Sequence, residues 1–152
     1  MAEAEQQAAP EGDSPSVDFS GMWKLDRSEN FEDFLKENGA NIVARKMAGL
    51  SKPTQEIKQE GNKFVIKTQA GFWTQEQSFT VGDSFQQDHQ GTTMTCSTRW
   101  EGNKLITDLV PNEEGKGKKT KNTRELVGDE LVQTMEVGNV VCKRIFKKLP
   151  PS

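Results

Sequence analysis

Three polar residues near the C-terminal end of the chain have the chemistry to hold an anion. Arg124, Gln133 and Arg144 lie in three successive segments, and side chains two residues apart share one face of a strand. By this alternation each of the three falls on the less charged face of its segment. If those faces line an interior, an anionic ligand would supply the partner that a buried guanidinium needs. The same alternation also fits arginines that reach outward to solvent or pair with acids of the chain.

Residue types that catalyse reactions or bind metals are sparse. The single histidine, His89, lies near a predicted turn and has no Glu or His at the spacing of metal ligands. Neither a Gly-x-Ser-x-Gly motif nor a phosphate-binding loop occurs. Cys96 and Cys142 are far apart and outside any CxxC motif, which favours buried free thiols. The sequence therefore predicts no catalytic residue, no bound metal and no cofactor.

The charge distribution does not require a nucleic acid as partner. The net charge is −3, but four of the 23 acidic residues lie in residues 1–16, so the remainder carries 19 acidic against 20 basic residues. Arg45 and Lys46 on a predicted helix are too few for a DNA-reading face. A lysine-rich segment leaves open a protein-interaction module for an acidic partner, although the neighbouring Gly115 favours a solvated hairpin turn. This segment contains Lys116, Lys118, Lys119 and Lys121.

Length and composition predict one domain with short tails. At 152 residues the chain fits a single domain. Residues 1–16 are acidic and almost without apolar side chains, which indicates a disordered tail; residues 17–149 predict the folded domain and residues 150–152 a short C-terminal tail. No segment approaches the ~20 apolar residues that span a bilayer, and the N-terminus lacks the pattern of a secretory signal. We therefore expect a cytoplasmic protein.

The segment that follows residue 17 predicts one strand and then two short helices. A partly alternating apolar pattern indicates a first strand that ends at residues 26–28. Ser28 is placed to cap a helix whose apolar residues share one face, and the Asn-Gly pair at 38–39 ends that helix. A second short helix follows, which cannot continue through Pro53.

From Pro53 onward the spacing of glycines predicts β structure. Glycines recur at intervals of nine to thirteen residues, which is typical of short strands separated by turns. With the first strand, the pattern gives ten strands, and a meander of consecutive hairpins closes most easily as an up-and-down antiparallel β-barrel. The apolar fraction of 32% is low for a solid core, which favours a barrel with an internal cavity.

Several long motifs resemble those of the intracellular lipid-binding proteins, the cytosolic carriers of fatty acids and retinoids. The resemblance covers Val17 to Leu149. Its motifs are Gly21-Met22-Trp23-Lys24-Leu25, Asn30-Phe31-Glu32, Asn41-Ile42-Val43, Lys52-Pro53 and Val141-Cys142-Lys143-Arg144-Ile145-Phe146-Lys147-Lys148. Within the family the chain resembles the intestinal type of fatty-acid carrier in Gln59-Glu60-Gly61-Asn62-Lys63-Phe64, Glu101-Gly102-Asn103-Lys104-Leu105-Ile106 and Gly128-Asp129-Glu130-Leu131-Val132-Gln133-Thr134.

This resemblance implies a non-catalytic, monomeric carrier that binds one long-chain fatty acid inside a ten-stranded barrel capped by two helices. The carboxylate would be bound by Arg124 with Gln133 assisting, and Arg144 would contact it or hold the neighbouring polar network. The ligand would enter beneath the helix pair. The residues expected to line the cavity and its entrance are Phe31, Phe34, Leu35, Met47, Phe72 and Phe146. Lys36, Arg45 and Lys46 are expected to steer the protein to anionic membranes.

Three departures from the family pattern bear on the ligand. The intestinal type has a tryptophan where this chain has Thr98, and other members have a tyrosine where Phe146 stands. Retinol carriers have glutamines at the positions of Arg124 and Arg144 and a tryptophan at that of Asn122. Retinol is therefore the poorer candidate, because a neutral alcohol cannot neutralise two interior guanidiniums, whereas retinoic acid remains an alternative.

Overall fold

The computed structural model describes residues 17–71, 73–89, 92–113 and 117–150 and contains ten strands and two helices in these ranges. Helices α1 and α2 both lie between the first and second strands. The helices are α1 Phe31–Glu37 and α2 Ile42–Leu50. The strands are β1 Gly21–Glu29, β2 Thr54–Glu60, β3 Lys63–Ala70, β4 Trp73–Thr80, β5 Ser84–His89, β6 Thr92–Glu101, β7 Lys104–Pro111, β8 Thr120–Val127, β9 Glu130–Val137 and β10 Val140–Lys148.

All ten strands belong to one antiparallel sheet. Their spatial order is β4-β3-β2-β1-β10-β9-β8-β7-β6-β5. Strands that are consecutive in the chain are neighbours in the sheet, with one exception: β4 and β5 form its two edges, while β1 pairs with β10. The sheet thus forms a nearly closed barrel, which confirms the fold that the glycine spacing predicts.

The seam between β4 and β5 is bridged by side chains rather than by a strand ladder among the described residues. The rings of Phe79 and Phe85 stack with their centroids 5.2 Å apart. Beside them, the side-chain amide of Gln77 donates to Oε1 of Gln87. The sheet is therefore continuous everywhere except along this seam.

The first helix begins two residues later than the sequence predicts. Ser28 does not cap a helix, because β1 continues to Glu29 through its pairing with β10. The cap residue is Asn30, whose backbone is left-handed with a φ of 61°. Asn adopts this left-handed conformation more readily than most residues do. Cross-strand hydrogen bonding thus outweighs the capping preference of a serine.

Two apolar clusters fill opposite parts of the barrel. The larger cluster, here called the aromatic base, includes Phe19, Trp23, Phe64, Leu131 and Phe146, each no more than 3% exposed. The smaller one lies beneath α1, where Phe34 packs against Val137 and Cys142. The middle of the barrel therefore lies between two packed ends.

Helix α2 packs with little apolar burial. None of its residues is buried, and its large apolar side chains Ile42, Val43, Met47 and Leu50 are 56–85% exposed. Its N-cap is Asn41, whose side chain accepts a hydrogen bond from the Ala44 amide at 2.8 Å. In the described part of the chain, neither helix has the length and apolar character to cross a membrane.

Candidate functional site

The three residues that alternation selects are direct cross-strand neighbours. On β9, Gln133 lies opposite Arg124 of β8 on one side and opposite Arg144 of β10 on the other. The row continues from Arg144 to Ser28 of β1. Arg124 and Gln133 are only 6% and 7% exposed. The antiparallel register therefore brings two guanidinium groups and one amide into a single row on the inner face of the barrel.

This row lies between the two apolar clusters. Along β10, it separates Cys142 of the cluster beneath α1 from Phe146 of the aromatic base. Along β9, Gln133 likewise follows Leu131 of the base and precedes Val137. A polar ligand group bound at the row would thus rest on the aromatic base, with its remainder directed toward the helices.

Arg124 carries a buried charge without a partner among the described residues. Its Nε is buried and makes no hydrogen bond, and no acid of the described chain forms an ion pair with its guanidinium. Burial lowers the pKa of Arg124 to about 10 because the charged form is deprived of water. Such a group is costly in an empty barrel and is stabilised by any anion that reaches it.

Arg144 lies in a different environment. Its Nε donates to Oγ of Ser28 at 3.1 Å, and its guanidinium carbon is 3.7 Å from the centre of the Phe31 ring. The ring face attracts the cation and replaces part of its hydration. Burial nevertheless lowers the pKa of Arg144 to about 10. Arg144 is thus partly satisfied by the chain itself, whereas Arg124 is not.

A pocket of about 280 Å³ reaches Arg144 beneath the helix pair. It lies between the upper part of β1, the start of α1 and the segment that leaves α2. The residues that line it include Leu25, Ser28, Phe31, Gly49 and Ser51. This opening connects the surface below the helices with one end of the polar row.

Gln55 is a member of the site that sequence reasoning missed. Its Nε2 donates to Oε1 of Gln133 at 3.2 Å, and it is only 5% exposed. The signal was available, because Gln55 is two residues before the buried Ile57 and so shares its face. A glutamine in a strand that also contains Gln59 and three charged residues did not stand out from the sequence alone.

A second polar row lies next to the first, on its helix side. Its members on three adjacent strands are Thr98, Thr107 and Asn122. Both threonines are buried, and Oδ1 of Asn122 is buried without a hydrogen-bond partner among the described residues. Thr98, which stands where the intestinal type has a tryptophan, therefore contributes a small hydroxyl to the wall instead of a large ring.

The residues predicted to line the entrance occupy different positions. Phe31 covers Arg144, Phe34 is buried beneath α1, and Leu35 packs against the same cluster. Met47 is 68% exposed on α2, so it faces solvent rather than the interior. Phe146 belongs to the aromatic base. Phe72, predicted to lie opposite the helices, is outside the described residues.

The remaining candidates of the sequence have simple environments where they are described. Cys96 and Cys142 are buried free thiols, as predicted, and burial raises the pKa of each to about 11. In the lysine-rich segment, Lys118 bonds Glu37 of α1 at 2.6 Å, whereas Lys116 lies outside the described residues. The predicted tail at residues 1–16 also lies outside them. The chain's single histidine, His89, ends β5.

A family model described as "Lipocalin / cytosolic fatty-acid binding protein family" matches residues 20–149. The chain belongs to this family. Human cellular retinoic acid-binding protein 2 is 45% identical over 132 residues, covering 84% of this chain and 96% of its own. Human intestinal fatty acid-binding protein is 42% identical over 131 residues, covering 86% and 98%. Bovine retinol-binding protein 1 is 40% identical over 136 residues, covering 88% and 98%.

Solved structures of lipid carriers share the fold. The REP1-NXSQ fatty acid transporter superposes with a TM-score of 0.79 at 35% identity, covering 88% of this chain and 97% of its own. The apo form of lipid binding protein 8 from Caenorhabditis elegans superposes with a TM-score of 0.80 at 32% identity, covering 86% and 95%.

Membership in this family indicates a lipid or retinoid carrier but leaves the ligand open. The names of these relatives describe binding proteins for retinoic acid, retinol and fatty acids, at similar levels of identity. Overall similarity thus does not favour the intestinal type over the retinoic acid-binding proteins. The choice between ligands must come from the site itself.

Proposed function

We propose that the protein is a non-catalytic, cytoplasmic carrier that binds one long-chain fatty acid in its barrel, with the carboxylate at Arg124. Gln133 assists as a hydrogen-bond donor, and Arg144 contributes from the next strand. The observation that carries this proposal is the buried guanidinium of Arg124, whose Nε has no partner among the described residues. A carboxylate supplies both the negative charge and the acceptor oxygens that this group needs.

The electrostatics of the row favour an acid over an alcohol. Both arginines have a pKa of about 10 and are therefore charged at neutral pH. A hydroxyl can accept one hydrogen bond from them but leaves the positive charge uncompensated in a place of low dielectric. Retinol is accordingly the weaker candidate, although a retinol-binding protein is among the relatives.

Retinoic acid is the second candidate, because relatives of similar identity bind it and it also carries a carboxylate. The state of Arg144 favours the fatty acid. The ring of Phe31 and the hydroxyl of Ser28 already occupy this arginine, which leaves Arg124 as the main anchor deep in the row. A flexible acyl chain can adjust its conformation to the cavity when its carboxylate is held by Arg124 alone. A competition experiment between oleic acid and all-trans retinoic acid distinguishes the two.

The helix pair supports a route for the ligand and a transient contact with membranes. The pocket beneath the helices reaches Arg144, and the exposed apolar side chains of α2 face away from the barrel. Lys46 lies on the same exposed helix, and Lys36 is exposed on α1. Apolar side chains interspersed with lysine suit the surface of an anionic bilayer. We propose that the protein acts as a monomer when it collects or delivers its ligand there.

The experiment that tests the proposal is the substitution Arg124→Gln. A charge-assisted hydrogen bond of this kind contributes about 1.5–3 kcal/mol, so the affinity for oleic acid should fall roughly ten- to a hundredfold. The affinity for oleyl alcohol should fall much less, because the alcohol carries no charge for Arg124 to neutralise. Both affinities are measured by titration with a competing fluorescent ligand.

Arg99→Gln serves as the matched control. Arg99 is paired with Asp108 and Glu101 on the outside of the neighbouring strands, so its loss should leave both affinities unchanged. The unfolding free energy of Arg124→Gln should stay level or rise, because a desolvated charge is removed. Equal losses for acid and alcohol would mean that the substitution reshaped the cavity, and the ion pair with Arg124 would be refuted.

A further inference from the structure

We propose that Gln55 positions Gln133 for the ligand and thereby sets the preference for a carboxylate. This inference rests on the proposed function and extends it to the opposite wall of the barrel. Gln55 does not belong to the row of Arg124, Gln133 and Arg144. It reaches that row through a hydrogen bond from its Nε2 to Oε1 of Gln133 at 3.2 Å.

The strand order shows that this bond crosses the interior. Gln55 is on β2 and Gln133 on β9, and both β1 and β10 lie between them in the sheet. The two side chains therefore meet across the barrel rather than along a ladder. Both are buried, at 5% and 7% exposure, so water does not compete freely for the bond.

An amide side chain presents either an acceptor or donors to a ligand, depending on how it is turned. The carbonyl oxygen of Gln133 accepts from Gln55, which leaves the NH₂ group of Gln133 as the donor for other partners. An amide turned the other way would direct its oxygen at a carboxylate and repel it. In this pairing Gln133 presents its donors to the ligand, which is the orientation that favours an anion, while Oε1 of Gln55 is buried without a hydrogen-bond partner among the described residues.

The register explains why this orientation matters. Gln133 lies between Arg124 and Arg144, opposite one on each side. A carboxylate that binds one guanidinium therefore passes within reach of the Gln133 amide. With Gln55 removed, the amide is free to turn, and part of the bound population would present an acceptor instead of a donor. The acid loses affinity in that case, whereas an alcohol can accept from or donate to either orientation.

The test uses Gln55→Met, Gln133→Met and the double variant, because Met keeps the approximate shape without hydrogen-bonding groups. Gln55→Met should lower the affinity for oleic acid roughly three- to tenfold, and it should change the affinity for oleyl alcohol by no more than about twofold. When Gln133→Met is already present, adding Gln55→Met should not lower the affinity for oleic acid any further. Gln69→Met, at an exposed position of β3, is the matched control and should change neither affinity.

A ligand-free measurement separates this inference from the proposed function. The side-chain NH₂ resonances of Gln133 in the apo protein should shift in Gln55→Met and stay unchanged in Gln69→Met. An unchanged Gln133 signal in Gln55→Met, equal effects on acid and alcohol, or additive effects in the double variant would each overturn the positioning role. If Arg124→Gln leaves oleic acid binding intact, the proposed function fails instead, and the amide signal alone then decides whether Gln55 holds Gln133.

Discussion

At the scale of single residues, the site is defined by a charge that the described chain does not neutralise. Burial lowers the pKa of Arg124 from its usual range to about 10, which corresponds to about 3 kcal/mol of lost stabilisation for the charged form. The folded barrel bears this cost at neutral pH, since the arginine remains protonated there. A bound carboxylate removes much of it, so affinity for the ligand and instability of the empty site have the same source.

This shift predicts a specific pH dependence. Below about pH 10 Arg124 is charged with or without ligand, so the affinity for oleic acid should be flat between about pH 7 and 9. Above about pH 10 the empty site loses its proton and the ligand must restore it, so the acid should bind more weakly as the pH rises. Oleyl alcohol should show no such fall. Titrations of both ligands from about pH 7 to 11, in wild type and Arg124→Gln, check this.

In Arg124→Gln the fall with pH should be smaller than in wild type, since Arg144 is then the one arginine of the row that still titrates in this range. The stability of the empty protein should move in the opposite direction. Above about pH 10 the unfolded chain binds more protons than the folded one at these arginines, so their contribution to the unfolding free energy rises with pH. A loss of acid affinity already between about pH 7 and 8 would point to a different titrating group.

Alternation identified the row but not the contacts that complete it. Arg124, Gln133 and Arg144 stand out because a charged or amide side chain interrupts an apolar face. Six of the seven residues of β2 are polar, so composition does not distinguish Gln55, and only its spacing from Ile57 does. Ser28 is an exposed residue near the end of β1, and nothing in the sequence indicates that it accepts a hydrogen bond from Arg144. Their contacts depend on the closure of the barrel, which brings distant strands together.

At the scale of elements, α2 is oriented differently from what the sequence predicts. The apolar residues that indicate the helix face solvent, while Arg45 turns inward, where it donates to the Ala40 carbonyl at 2.9 Å and lies 3.7 Å from a Glu32 oxygen. Periodicity predicts that a helix has an apolar face, but it does not tell which way that face points. Arg45 is therefore poorly placed to attract a membrane, in contrast to Lys36 and Lys46.

We expect the double substitution Lys36→Gln/Lys46→Gln to slow transfer of a fluorescent fatty acid to vesicles that contain phosphatidylserine. Each lysine near an anionic surface contributes ~1 kcal/mol, so the affinity for these vesicles should fall roughly tenfold or more. Transfer to vesicles of neutral lipid should be unchanged. Arg45→Gln is the matched control, since it removes a similar charge from the inner side of the helix pair. An equal effect of Arg45→Gln, or none in the double variant, would contradict this electrostatic contribution.

At the scale of the whole molecule, local sequence signals account for the barrel in large part. Turn glycines such as Gly128 and Gly138 adopt the left-handed conformation expected of them, with φ of 63° and 56°. These turns pair the strands that they join, except between β4 and β5, and they give the number of strands. The closure of β1 against β10 and the extra residue of β1 that shifts their register near Phe146 are not encoded in any turn. They arise from packing between the ends of the chain.

The seam between β4 and β5 allows the strands to be arranged in a different order along the chain without changing the sheet. The two ends of the barrel sequence are adjacent, since the Leu149 amide donates to the Met22 carbonyl at 2.7 Å. A circular permutant that joins residue 149 to residue 19 by a short linker, and begins at Asp83 between β4 and β5, would follow the sheet from one edge to the other. Every pair of neighbouring strands would then be consecutive in the chain, with no pairing left between its two ends.

Because contacts of short sequence separation form faster, the permutant should refold faster than the natural order while it keeps its affinity for oleic acid. Stopped-flow refolding measured by tryptophan fluorescence checks the rate, and a permutant opened between β8 and β9, at Asp129, is the control because it retains one long-range pairing. Equal refolding rates for all three chains would show that closure of β1 on β10 does not limit folding. The gap in the sheet would then be a break in the strand ladder that has no influence on how fast the barrel assembles.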